Sequence, residues 1–437
     1  MIQFLKPKKT FCIFTKPYTN KMHKHFLHLL TLFLFSTPFF GQNVTEIAPP
    51  YNIKSVAFFQ GNTFTEPFVK LGDSFSIEFD DLYGDEADYY YTITMYNKDW
   101  TPVNIAKNEY LQGVDNQRIM NYTNSYNTLQ QFSHYKQEFP NKFNSIKKSG
   151  NYLITILNDD YEAVFSKKII IYEEQINAGI NIRRARDNNS LNTKQNVEVV
   201  LNYGEKVLQN PERNISISIL QNNNWQTEIN NIKAQYMLGS ELIFRYNEET
   251  QFWAGNEYYF IDNKNIRASN NSIARVTGGQ LYNGFLYTNY PRRRNPYTYF
   301  PDLNGKYYIQ NIGTNNPSTE ADYSWVYFTL DCSDCPLDQN IYVNGMFNNY
   351  ALIDEYKLEY NTESGLFEKP ILLKQGITSY QYTVTDKNLN LLPDQAIDGN
   401  FYVTENSYTT IVYYRGNNDR YDRVMGIATN NSEGIRN

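Results

Sequence analysis

Residues 75–80 read FSIEFD, with Phe75, Ile77 and Phe79 at alternate positions and Ser76, Glu78 and Asp80 between them. A side-chain period of two marks a β-strand with one face in a core and the other in water, so this run is expected to be a half-buried strand. The alternation recurs on both sides, in IKSVAFF (53–59), DYYYTITMY (88–96), FSHYKQEF (132–139), NYLITIL (151–157) and AVFSKKIIIY (163–172). Turn formers Gly84, Asp99, Pro102, Pro140 and Gly150 separate the runs. This spacing is that of an antiparallel sandwich, and the first domain is set at 44–174.

Beyond it, EEQINAGINIRRARDNNSLNTKQ (173–195) mixes polar residues with little periodicity, which reads as a crossing between domains followed by a variable turn. Alternation resumes in NVEVVLNY (196–203), NISISILQ (214–221), ELIFRY (241–246) and NEYYFID (256–262), which places a middle β domain at 175–320. A third set, YSWVYFTL (323–330), NIYVNGMF (340–347), YKLEYN (356–361), SYQYTVTD (379–386) and YTTIVYYR (408–415), places a C-terminal sandwich at 321–426, followed by a polar tail at 427–437. No stretch of a dozen residues carries a helical stripe, so the expected fold class is all-β, as tandem antiparallel β-sandwiches.

The chain has 437 residues, of which 39 are Tyr, so aromatic rings carry much of the apolar load although the mean hydropathy is −0.60. Lys and Arg total 40 against 46 Asp and Glu, a balance that argues against a sequence-independent nucleic-acid binder. Histidine is decisive for function class. Of 4 His, three (His23, His25, His28) lie in the first 41 residues, which leaves His134 alone beyond them. A His cluster for zinc cannot be built from one imidazole, and a Ser-His-Asp triad would have to converge on that position. The expectation is a non-enzymatic protein without cofactor or metal.

Residues 1–41 contain no acid, and Lys21, His23, Lys24 and His25 precede the apolar run FLHLLTLFLFSTPFF (26–40). That is the layout of a secretory signal; a retained anchor is the weaker reading, since the run is shorter than a bilayer span and contains Pro38. Met22 is an alternative start. Cys12 precedes the run without a lipobox context. Removal of 1–41 leaves 34 basic and 46 acidic side chains, a balance near −12, in an oxidising compartment. The remaining cysteines form C-S-D-C, Cys332 and Cys335. No second pair completes a zinc site and no helix is expected after it, so a small structural disulfide is preferred to redox work, with free thiols the alternative.

Candidate recognition elements are few. In NYPRRRNPYTYFPDLNG (289–305), Arg292, Arg293 and Arg294 stand between Pro291 and Pro296 and are followed by Tyr297, Tyr299 and Phe300. Prolines exclude a ladder strand, and Arg and Tyr dominate protein interfaces. The loop reads either as a partner-facing element or as a loop stapled to its own domain by ion pairs. DDLYGDEAD (80–88) lacks the calcium-loop spacing and reads as a charged hairpin turn. RGNNDRYDRV (415–424) reads as a local ion-pair lattice capping a strand end.

Taken in order, KDWTPVNIAKNEYLQGVDNQRI (98–119), SYNTLQQFSHYKQEFPN (125–141), KKSGNYLITILND (147–159), GNEYYFIDNKNIR (255–267), the Arg/Tyr loop, ADYSWVYFTL (321–330), IYVNGMFNNY (341–350) and RGNNDRYDRVMG (415–426) resemble the plug protein family of the type IX secretion system. The resemblance implies a periplasmic, non-enzymatic protein that docks as a monomer, peripheral to the outer membrane, against the giant outer-membrane β-barrel translocon and closes its periplasmic mouth when no cargo is engaged. On that reading Arg292, Arg293, Arg294, Tyr297, Tyr299, Phe300 and, in the long insertion 101–131, Tyr110 are the expected contacts. Two alternatives stand beside it. Residues 341–384 resemble early-set, Ig-like sandwiches that bind glycans, with Tyr350 as the stacking platform, which would make this a periplasmic or surface carbohydrate-binding protein. A Tyr-rich outer-membrane barrel is the other, opposed by Lys136 and Lys357 inside candidate strands.

Overall fold

The computed structural model describes residues 44–435; the expected signal segment, Cys12 and three of the histidines lie outside them. Strands Thr63–Thr65, Ile53–Gln60, Phe75–Asp81, Ser133–Phe139 and Tyr122–Asn124 form one sheet in that order. It faces a second, ordered Phe68–Lys70, Ala163–Tyr172, Gly150–Leu157, Tyr90–Tyr96 and Gln117–Arg118. The two inner faces share one core, in which Phe79 stacks on Tyr135 with centroids 5.1 Å apart and meets Phe165 edge-on. Tyrosine can fill such a core because its hydroxyls find partners there: Tyr135 donates to the Ala87 carbonyl (2.7 Å), Tyr89 to Asp81 (2.7 Å) and Tyr152 to the Lys148 carbonyl (2.8 Å).

The FSIEFD strand departs from the alternation rule, since every residue from Phe75 to Asp81 is buried. Phe75, Ile77 and Phe79 enter the core as expected. The polar face is covered too, because Glu78 and Asp80 are engaged by His134, Lys136 and Lys374.

The middle sandwich stacks the sheet Asn177–Arg184, Lys194–Asn202, Glu241–Phe244, Tyr236–Leu238 on the sheet Asn224–Ile232, Ile215–Gln221, Ser407–Tyr414, Arg423–Asn431. Two expectations are corrected here. The polar crossing contains a strand, Asn177–Arg184, paired along its full length with Lys194–Asn202. It is an edge strand whose alternation is short, with Ala178, Ile180 and Ile182 turned to the core among Asn, Gly and Arg. The run at 408–415 does not belong to the third set: Ile215 pairs with Tyr414 and Gln221 with Tyr408, which puts Ser407–Tyr414 at the centre of a middle-sandwich sheet.

The third sandwich therefore interrupts the middle one. Its sheets are Tyr259–Asp262, Gly376–Thr385, Tyr307–Ile309, with Asn340–Asn344 also on Gly376–Thr385, and Ile273–Thr277, Asn283–Leu286, Tyr323–Leu330, Leu366–Lys374, Glu359–Asn361. All of these lie between Trp253 and Ser407, so neither 320/321 nor 426 separates one set of sheets from the next. The strands form open sheets with shared cores, not one closed barrel. No helix among the described residues exceeds four residues.

Among the described residues, the sandwiches are joined by direct packing and hydrogen bonds. The segment after the first one is pinned to the last strand, with Glu173 N–H donating to the Val424 carbonyl (2.8 Å) and Gln175 and Ile176 N–H to that of Met425 (2.8 and 3.0 Å). Gly426 allows this approach, since a Cβ there would lie 2.4 Å from the Ile176 carbonyl oxygen. Trp100, Ile170, Leu220, Ile411, Tyr413 and Val424 form a small core between the first and middle sandwiches, with the Tyr413 hydroxyl donating to Asn151 (2.9 Å).

Candidate functional site

The Arg/Tyr loop has no regular strand, as its prolines require, and it is anchored at three points. Arg292 Nε donates to Asp398 Oδ1 (2.8 Å), its Nη2 to the Glu257 carbonyl (2.7 Å), and its guanidinium lies 4.0 Å from the Tyr259 ring centroid. Burial opposes its charge, but the Asp398 carboxylate outweighs burial and holds the guanidinium firmly protonated. The Tyr297 hydroxyl donates to Glu257 Oε1. Arg293 and Arg294 both reach Asp334, at 2.6 and 2.7 Å.

Asp334 lies inside the CSDC turn, where Cys332 and Cys335 are joined as a disulfide with Cα atoms 5.3 Å apart. The short loop thus presents one carboxylate to two guanidiniums. Among the described residues, Cys332, Asp334 and Cys335 are the only grouping with metal-ligand spacing, and their sulfurs are spent on each other.

Two acids are shifted here, Asp302 of the loop itself and Glu257, the acceptor of Tyr297. Asp302 accepts the Asn304 N–H (2.6 Å) and the Tyr258 N–H, yet burial pushes its carboxyl up to about 7. Glu257 is raised for the same reason.

The expected contact residues therefore divide. Arg294 is 79% exposed and Tyr299 52%, and Tyr290 beside them is 60% exposed. Arg293 and Phe300 are half-buried, and Arg292 and Tyr297 are committed to holding the loop. Tyr110 is corrected outright: it is buried in the first core against Tyr152. Tyr350 is corrected as a sugar platform as well, because it is 2% exposed, with its hydroxyl 3.3 Å from that of Tyr258 and from the Asn222 carbonyl oxygen.

The insertion 101–131 presents Val114, Met120, Tyr126 and Leu129 to solvent. Its backbone is nonetheless fixed to the third sandwich: Leu129 and Gln130 N–H donate to the two Asp322 oxygens (2.7 and 3.0 Å), and Tyr126 N–H to the Thr319 carbonyl (3.0 Å). RGNNDRYDRV also reaches further than a local lattice. Arg415 does face Asp422 (3.8 Å), but Arg423 pairs with Glu173 (2.6 Å) and Arg420 with Glu109.

Sequence reasoning missed a buried charge centre between the first and third sandwiches. Asp80 accepts Lys374 Nζ (2.5 Å) and the Tyr323 hydroxyl (2.6 Å) on one oxygen and faces His134 Nδ1 (2.7 Å) with the other. Glu78 faces His134 Nε2 at 3.4 Å, and Lys374 also donates to the Ser318 carbonyl (2.6 Å). Burial works against charge on His134, but the bonds to Asp80 and Glu78 prevail and raise its pKa; Lys374 and His134 likewise hold Asp80 low against burial. With both ring nitrogens on carboxylates, this imidazole has no nitrogen to offer a nucleophile. The available signal was His134 itself, an ionisable residue facing Asp80 and Glu78 across a strand pair.

A family profile described as the type 9 secretion system plug protein 1st domain matches residues 53–173, the span of the first sandwich. The chain is similar in structure to a hypothetical protein from Parabacteroides merdae ATCC 43184, with a TM-score of 0.83, 30% identity, and 88% of this chain and 98% of that one covered. A biofilm-associated protein BSP domain, at 7% identity and a TM-score of 0.16 over 90% of this chain and 61% of that one, carries no structural argument. No curated protein matches the sequence.

Proposed function

The chain belongs to the type 9 secretion system plug family, and from that premise we propose that it is a non-enzymatic stopper which seats, as one copy, in the periplasmic mouth of the outer-membrane translocon when no cargo is engaged. The observation that carries this reading is the locking of three sandwiches into one body. A water-filled channel wide enough for folded cargo is closed only by an object that does not deform. Here the joints contain a core of their own, buried charge pairs and backbone hydrogen bonds in place of linkers.

Release requires an interface that is not permanently apolar. The exposed Arg294, Tyr290 and Tyr299 of the Arg/Tyr loop, with Val114, Met120 and Tyr126 of the insertion, are the contacts we assign. They combine aromatic area with directed hydrogen bonding, the composition of interfaces that form and dissolve. The test is affinity capture of the tagged chain from detergent-solubilised envelopes of its native host. Recovery of a giant outer-membrane barrel supports the proposal. Absence of any barrel, or turnover of a small molecule by the purified protein, overturns it.

A further inference from the structure

A cleft of about 290 Å³ opens between the middle and third sandwiches, away from the charge centre and distinct from the contacts assigned above. Its middle-sandwich wall comes from the turn after Ile215–Gln221 and from Gln251–Trp253; its other wall comes from Gly376–Thr385 and the segment around Leu392. Charged residues make up 20% of the chain, yet none lines this cleft, so its chemistry selects an uncharged ligand. Side-chain amides supply most of its polar lining, Asn224, Gln226 and Gln381 among them, beside the Trp253 indole and an aliphatic lip at Leu391 and Leu392.

We propose that this cleft binds a neutral oligosaccharide. An amide presents a donor and an acceptor together, which matches the dual character of a sugar hydroxyl, while an indole provides a flat surface for the C–H face of a pyranose. Both elements are in place. Among the described residues the Gln381 side-chain amide has no hydrogen-bond partner, and Asn224 uses its Oδ1 on the Gln226 N–H (2.9 Å) while its Nδ2 stays unengaged. The indole is steadied by Lys194, which is not a lining residue and whose Nζ lies 4.6 Å from the ring centroid. The volume sits at the small end of ligand pockets, which run from roughly 300 to 1,000 Å³, so a short chain or a chain end is the fitting ligand.

Tyr350 takes no stacking part, since its ring is buried, but its carbonyl accepts from Gln226 (2.7 Å) and fixes that amide at the cleft. The inference is independent of the stopper reading and neither requires nor excludes it.

The test is isothermal titration of the chain lacking residues 1–41 with neutral tetrasaccharides of gluco, manno and galacto configuration, alongside a sulfated tetrasaccharide and an uncharged extended hexapeptide. At least one neutral sugar is expected to bind, and Gln381→Leu and Trp253→Ala are expected to weaken it tenfold or more. Trp253→Phe should retain most of the affinity, and Tyr161→Ala, an exposed residue of the first sandwich outside the cleft lining, should match the wild type. Circular dichroism and melting temperature establish that each variant is folded; should Trp253→Ala fail to fold, Gln381→Leu decides alone. No binding to any neutral sugar, equal or tighter binding of the sulfated sugar or the peptide, or unchanged affinity in Gln381→Leu overturns the proposal.

Discussion

The Asp80 carboxylate of the first sandwich and the Lys374 ammonium of the third meet at 2.5 Å across the joint between them, with side-chain exposures of 0% and 3%. Such a pair is expensive to break from one side, because the partner left behind is a dry charge. The two sides are unequal here. Asp80 also holds His134 and Tyr323, whereas Lys374 has, among the described residues, Asp80 as its only carboxylate partner within ion-pair distance. Asp80→Asn is expected to cost about 3–5 kcal/mol in urea unfolding, and Lys374→Met distinctly less. The double variant should fall short of the sum of the two losses, which identifies the coupling.

Stability should also depend on pH through His134. Its folded pKa is raised above the ordinary 6.5, so the protonated form binds preferentially to the native state. The stabilisation is complete below 6.5 and is lost as pH rises through the raised value. Asp302, raised to about 7 by burial, contributes with the same sign: its share is present below the ordinary 3.8 and fades as pH climbs through about 7. Melting temperatures from pH 5 to 9 should fall more steeply in the wild type than in His134→Gln; equal slopes would remove His134 from the account.

Arginines two positions apart in one loop should behave differently. Arg292→Ala strands the buried Asp398 carboxylate and is expected to destabilise by about 3–5 kcal/mol. Arg294→Ala removes an exposed pair worth about 0–1 kcal/mol. The melting temperature should therefore register only the first, while capture of the translocon should weaken for Arg294→Ala in a fully folded protein.

Tyr350→Ala should act through packing. The ring is buried between sandwiches, and its removal is expected to cost about 3–5 kcal/mol. Tyr350→Phe loses only hydroxyl contacts at 3.3 Å and should cost about 1 kcal/mol. Denaturant midpoints decide this directly.

Ending the chain at residue 401 should do more than remove a C-terminal element. Ser407–Tyr414 lies between Ile215–Gln221 and Arg423–Asn431, so the cut exposes Ile217 and Ile219 of a strand nearly two hundred residues earlier. Limited proteolysis is expected to cleave the middle sandwich first and to leave the first sandwich resistant.

The strands themselves were legible, because period-two runs such as 90–96 and 133–139 write burial directly into the residue order. Their partners were not. Alternation says that Tyr408, Val412 and Tyr414 face a core, but nothing in it says that the core is that of Ile217. The same limit hid the charge centre: Asp80 read as a solvent-facing residue until a second sandwich was placed over it. At the Arg/Tyr loop, composition marked the segment and its lack of regular structure, but not which arginine turns inward, since Asp398 and Glu257 are remote in the chain.

One consequence concerns the order of events during synthesis. The first sandwich has all its strands by Tyr172, whereas the middle one waits for Ser407–Tyr414 and Arg423–Asn431, which emerge only after the whole insert. Its early half must therefore linger with an unfinished sheet until the final hairpin arrives to close it. The body that results hardens last in its middle sandwich, and a chain halted before that hairpin has two finished modules and one left open.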